Sequence, residues 1–132
     1  MKKILLLIMF LIPFKVVAMS ASSMVAVDLD NDYVYYDVNK DDKRLIASIT
    51  KIMTAIVTIE NIDIDKEITV GEEVLKAYGS AIYINVGEKI TIRDLLYGLI
   101  MRSGNDAAVV LAKNVVGSME GFAHLMNELA SN

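Results

Sequence analysis

The sequence predicts a mixed α/β (α+β) fold, a β-hairpin followed by a mostly helical remainder. Three observations predict it. First, Val25, Val27 and Leu29 alternate with Ala26 and Asp28, and Tyr33-Val34-Tyr35-Tyr36-Asp37-Val38 is dense in β-formers, with the turn residues Asp30-Asn31-Asp32 between the two runs. Second, apolar residues after position 48 recur mainly at helical spacing. Third, residues that cap or break helices separate those stretches: Thr91, Ser103-Gly104-Asn105, Gly117 and Ser118.

The chain has 132 residues, enough for one small domain and too few for two ordinary ones. Residues 1–18 read as a signal peptide. Lys2 and Lys3 precede an apolar run over 4–14, and Val16-Val17-Ala18 offers small residues for cleavage, with Ala21 as a second cleavage point. The apolar run is short for a membrane span, although an uncleaved anchor is the alternative. The expected domain is therefore 19–132, exported to the extracytoplasmic face of the cell envelope. Removing Lys2, Lys3 and Lys15 leaves ten basic residues against seventeen acidic ones, a net charge of −7. With no basic stripe, this argues against a nucleic-acid partner.

Cysteine is absent, which excludes disulfides and thiol chemistry. The single histidine, His124, excludes a histidine metal cluster and reads as a surface residue. Asp28/Asp30/Asp32 and Asp63/Asp65 lack a complete calcium-loop spacing and read as solvated turns, so no metal is expected.

In chain order, the hairpin at 25–38 carries the alternation of a half-buried strand. A polar connection over 39–44 leads to a helix that ends near Asn61-Ile62-Asp63. Its buried stripe is expected to be Ile49, Ile52, Met53, Ile56 and Ile59. Residues 63–90 read as a surface excursion, with an extended piece over 64–70, a short helix over 72–77, and breaks at Gly79-Ser80 and Gly87. Thr91 and Asp94 have the spacing of a capping box. The helix that follows should bury Ile92, Leu95, Leu96, Leu99 and Ile100 and stop at Met101-Arg102. Residues 106–116 form an apolar, alanine-rich helix, expected to be buried and capped by Gly117. Ser118 starts a last helix facing the core with Phe122, Leu125, Met126 and Leu129.

Two motifs carry chemistry. Ser48 is the only serine with a lysine, Lys51, three residues on, and on a helix such residues share a face. A serine hydroxyl needs a neighbour to take its proton. A lysine does so when burial or nearby positive charge lowers its pKa. A helix start also offers free N–H groups to a developing oxyanion. Read alone, Ser48-x-x-Lys51 is more often a helix start with a solvated lysine. The second motif, Ser103-Gly104-Asn105, can project a hydroxyl and an amide from a short loop, or simply cap two helices.

Together and in this order, Ser48-Ile49-Thr50-Lys51 and Arg102-Ser103-Gly104-Asn105-Asp106-Ala107-Ala108 resemble the serine D-alanyl-D-alanine carboxypeptidases (peptidase S11), the low-molecular-weight penicillin-binding proteins. Gly79-Ser80, Gly87-Glu88, residues 94–99 and Met126-Asn127 extend the resemblance over about 24–130. It implies a β-lactamase/transpeptidase-like fold. It also implies Ser48 as nucleophile, Lys51 as proton acceptor, Ser103 as proton relay, and Asn105 as a substrate-binding residue that also orients Lys51. The implied partners are the D-Ala-D-Ala end of a peptidoglycan stem peptide and β-lactam antibiotics. No cofactor is implied, and membrane association is left open. None of the ten lysines is followed by Thr-Gly or Ser-Gly, so the family's third motif, Lys-Thr-Gly, is missing. The expectation is therefore the N-terminal part of a longer enzyme, with a hairpin left with an open edge and an uncovered apolar face, and with weak or no turnover by itself. The alternatives are a β-lactamase of the same fold and a non-catalytic penicillin-binding fragment. Gly104 in place of the lactamases' Asp counts against the lactamase.

Overall fold

A computed structural model describes residues 20–131. The signal peptide expected at 1–18 lies outside them. The chain divides into two compact units, with the boundary between Arg44 and Leu45.

The first unit is the hairpin. Strands β1 (Met24–Val27) and β2 (Val34–Val38) pair antiparallel, Met24 opposite Val38 and Ala26 opposite Tyr36, with a bulge between Ala26 and Val27. The Asp28 carboxylate organises the turn. It accepts from the Asp30 N–H at 2.9 Å, the Asn31 amide at 3.2 Å and the Tyr35 hydroxyl at 3.1 Å. The apolar face is uncovered, as expected of a hairpin without further sheet neighbours: Val25, Val27 and Leu29 are all exposed. A two-stranded ribbon carries no second layer of its own, so alternation shows which side chains share a face but not that the face is covered.

The second unit is mostly helical. A 3₁₀ turn (Ala47–Ile49) leads into α1 (Thr50–Asn61). Strand β3 (Glu67–Thr69) and a 3₁₀ turn (Glu72–Lys76) follow, then β4 (Lys89–Thr91). Helices α2 (Ile92–Arg102), α3 (Asn105–Val116) and α4 (Met119–Ala130) complete it. The caps form as the sequence dictates. The Thr91 hydroxyl accepts the Asp94 N–H and donates to its carboxylate, the Ser118 hydroxyl accepts the Gly121 N–H, and Gly117 closes α3 with φ 83°.

The larger core joins Ile68 and Val70 to Ile92, Leu95 and Leu99 of α2 and to Ala107, Val110 and Leu111 of α3. A smaller one gathers Val57, Ala112 and Phe122, with Met53, Leu125, Met126 and Leu129 against it. Residues 63–90 are therefore more than a surface excursion. β3 and β4 pair antiparallel through Ile68 and Ile90, and Ile68, Val70 and Val74 enter the core. Strand β4 has only three residues and carries too little alternation to be read from sequence.

The α1 stripe is also corrected. Ile49, Ile52, Ile56 and Ile59 are exposed, and the inward residues are Thr54, Val57 and Thr58. The threonines can face inward because each hydroxyl donates to a carbonyl one turn back, Thr54 to Thr50 at 3.2 Å and Thr58 to Thr54 at 2.8 Å. Ile100 of α2 is likewise exposed, whereas Ile92, Leu95 and Leu99 are fully buried.

Candidate active site

Ser48 lies one step earlier than the sequence suggested, in the 3₁₀ turn rather than in α1 itself. Lys51 follows three residues on, in the first turn of α1, a spacing that makes helical side chains neighbours. Opposite them is the junction between α2 and α3. Ser103 caps α2 in the left-handed conformation, φ 55°, and Gly104 is the N-cap of α3. Gly104 is fixed by space: a Cβ there would lie 2.9 Å from an Asp106 carboxylate oxygen and 3.3 Å from the Gly98 carbonyl.

Two hydrogen bonds join the motifs across more than fifty residues of sequence. The Ser103 hydroxyl donates to the Ser48 hydroxyl at 2.5 Å, and Lys51 Nζ donates to Asn105 Oδ1 at 2.7 Å. Ser48 is exposed, while Lys51, Ser103 and Asn105 are half-buried. The nucleophile candidate thus faces solvent while its neighbours are held from behind. All four sequence-predicted residues meet in one place. His124 stands apart on α4, exposed and 3.3 Å from Glu128.

The surroundings add residues to which sequence reasoning gave no role in the site. Asn105 Nδ2 donates to the Tyr78 carbonyl at 2.6 Å, and the Asn105 N–H donates to the Ser80 carbonyl at 2.7 Å. The Asp106 carboxylate, 3% exposed, accepts N–H groups of Ile82, Tyr83, Ile84 and Ala107. An acid in the first turn of a helix is ordinary, so the sequence carried no sign that this one is buried. A cavity of about 260 Å³ opens beside Asn105, between Tyr78 and Val109.

Three non-glycine residues with positive φ belong to this region: Ala47 at 48°, Tyr83 at 63° and Ser103 at 55°. Such conformations persist where their surroundings hold them, and they concentrate at functional sites. Chemically, the arrangement pairs the solvent-facing Ser48 hydroxyl with the Ser103 hydroxyl, and holds the Lys51 amine on Asn105, two residues further along the same junction. That is the equipment for proton transfer into and out of an acyl transfer. Among the described residues no group of three or more His, Asp or Glu could hold a metal ion.

A Ser-x-x-Lys turn hydrogen-bonded to a Ser-x-Asn junction is the motif pair of the transpeptidase-like fold class, and the solved structures agree on the fold. The chain matches a crystal structure of the D-alanyl-D-alanine carboxypeptidase DacD from Francisella tularensis with TM-score 0.78 and 35% identity, over 86% of this chain and 29% of that one. It matches the Streptomyces K15 DD-transpeptidase with TM-score 0.76 and 31% identity, over 86% of this chain and 48% of that one. The chain belongs to the D-alanyl-D-alanine carboxypeptidase family, peptidase S11, whose model matches residues 13–132. Relatives include the D-alanyl-D-alanine carboxypeptidases DacF of Bacillus subtilis, 35% identical over 86% of this chain, and DacC of Escherichia coli, 33% identical over 86%. The chain spans about 30% of the length of these curated relatives.

Proposed function

We propose that this chain carries the nucleophile side of a serine D-alanyl-D-alanine carboxypeptidase that trims peptidoglycan stem peptides during cell-wall biogenesis. The observation that carries the reading is the pair of hydrogen bonds, Ser103 to Ser48 and Lys51 to Asn105, linking two motifs remote in sequence. In the proposed reaction Ser48 Oγ attacks the carbonyl carbon of the penultimate D-alanine, and its proton passes to the Lys51 amine. The C–N bond to the terminal D-alanine then breaks, and Ser103 relays a proton to the departing amine. Water hydrolyses the resulting ester on Ser48 and restores the serine. Penicillins would acylate the same oxygen. A signal peptide at 1–18 and an extracytoplasmic location fit a substrate outside the cytoplasm.

The test is covalent labelling with a fluorescent penicillin. The expected result is a label on the wild-type chain that is lost in Ser48→Ala. In the family the Lys-Thr-Gly strand helps complete the oxyanion hole, so D-alanine release by these 132 residues should be weak or absent; one such donor is worth roughly 2.7–4 kcal/mol in a serine hydrolase. A folded chain that takes no label overturns the reading, and rapid nitrocefin hydrolysis would favour the lactamase instead.

A further inference from the structure

The loop between the 3₁₀ turn (Glu72–Lys76) and β4 is hydrogen-bonded to the start of α3 through its backbone, and α3 grips it at five points. Asn105 takes the Tyr78 carbonyl with its side chain and the Ser80 carbonyl with its backbone. Asp106 takes the N–H groups of Ile82 at 3.1 Å, Tyr83 at 2.8 Å and Ile84 at 3.4 Å. The left-handed φ of 63° at Tyr83 lets successive N–H groups converge on one anion, as in an anion-binding nest. Both Asp106 oxygens act as acceptors, so an asparagine there would aim a donor at donors in either orientation.

The same loop closes on Asn105. Its Nδ2 is held by Tyr78, which leaves Oδ1 as the atom facing Lys51 Nζ. Gly79, with φ 88°, passes so close that a Cβ there would lie 3.1 Å from Asn105 Nδ2. A side chain at 79 would be strained by its backbone and would press on the Asn105 amide.

We propose that Asp106 and Gly79 are positioning residues: Asp106 clamps segment 78–84 to the start of α3, and that segment fixes the Asn105 amide and through it the Lys51 amine. The proposal rests on the carboxypeptidase reading only for its kinetic consequence. The geometric part stands without it.

The experiment compares the full chain with Asp106→Asn, Gly79→Ala and, as a control, Thr91→Ala, which weakens α2 without touching the segment. Three quantities are read: the NMR signals of the Asn105 side-chain amide and the Lys51 ε-methylene, amide exchange at 82–84, and the rate of Ser48 acylation by a fluorescent penicillin. Asp106→Asn is expected to speed exchange at 82–84 and move the Asn105 and Lys51 signals. Gly79→Ala is expected to move the same two signals from the other end of the loop. Both should slow acylation by about tenfold to a hundredfold, the scale of a small misplacement of reacting groups. Thr91→Ala should leave the two signals in place.

If Asp106→Asn does not fold, Gly79→Ala decides, since residue 79 is exposed. Unmoved Asn105 and Lys51 signals in a folded variant overturn the proposal, as does an equal movement in Thr91→Ala. Moved signals in a chain whose wild type takes no penicillin would sink the carboxypeptidase reading and leave the positioning intact.

Discussion

At the scale of single residues, Asn105 shows most clearly what spacing conveys and what it omits. The sequence placed Ser48, Lys51, Ser103 and Asn105 in two motifs, and the structure joins them by side-chain hydrogen bonds. Spacing assigned no role to Tyr78, Ser80 or Asp106: Tyr78 and Ser80 act through backbone C=O groups, and the Asp106 carboxylate takes backbone N–H groups, which every residue type but proline possesses. Asp28 offers a residue-scale prediction. Its carboxyl is held below the ordinary 3.8, first by the Asp30 N–H and then by the Tyr35 hydroxyl. A depressed folded value means that the carboxylate's support for the turn is present above 3.8 and lost as pH falls through the lower folded value. On acid titration the Asp30 amide and Tyr35 ring signals should therefore shift with a midpoint below 3.8, and in Asp28→Asn that transition should vanish. A midpoint at or above 3.8 would contradict the hydrogen-bond assignment.

At the scale of elements, the reading succeeded where the signal is local. Thr91, Gly117 and Ser118 each fix a helix end through atoms within four residues, and their helices start and stop where expected. Thr91→Ala removes one cap and is expected to cost about 1 kcal/mol. Urea denaturation should show a lower midpoint at unchanged slope, and a loss under a few tenths would mean that β4 holds the helix start unaided. The reading failed where the signal is remote. Strands β3 and β4 pair across about twenty residues, and neither is long enough to show a period. In α1 the periodicity was real, but helical spacing defines several stripes, and α3 and α4 select the one with Thr54, Val57 and Thr58.

At the scale of the whole molecule, the same selection leaves apolar surface facing water. Ile52, Ile56 and Ile59 of α1 and Tyr97, Ile100 and Met101 of α2 are all exposed. Several of them border a groove of about 360 Å³ that runs from Ala55 and Ile59 to Leu96 and Ile100, with Arg93 as its one charged residue. Scattered exposed apolar residues are normal, but a contiguous groove of this kind binds apolar dyes. The folded chain should therefore enhance the fluorescence of an anilinonaphthalene dye while still unfolding cooperatively, which separates it from a molten state. Ile100→Lys should quench most of that enhancement and change stability by no more than about 0.5 kcal/mol, because residue 100 lies outside the buried core. Ser48 stands in the turn ahead of α1, apart from the residues that line the groove. Penicillin labelling of Ile100→Lys should accordingly match the wild type. If the dye ignores the wild-type chain, the α1 and α2 faces are covered in solution. If Ile100→Lys unfolds the chain, the buried core extends further along α2 than Leu99.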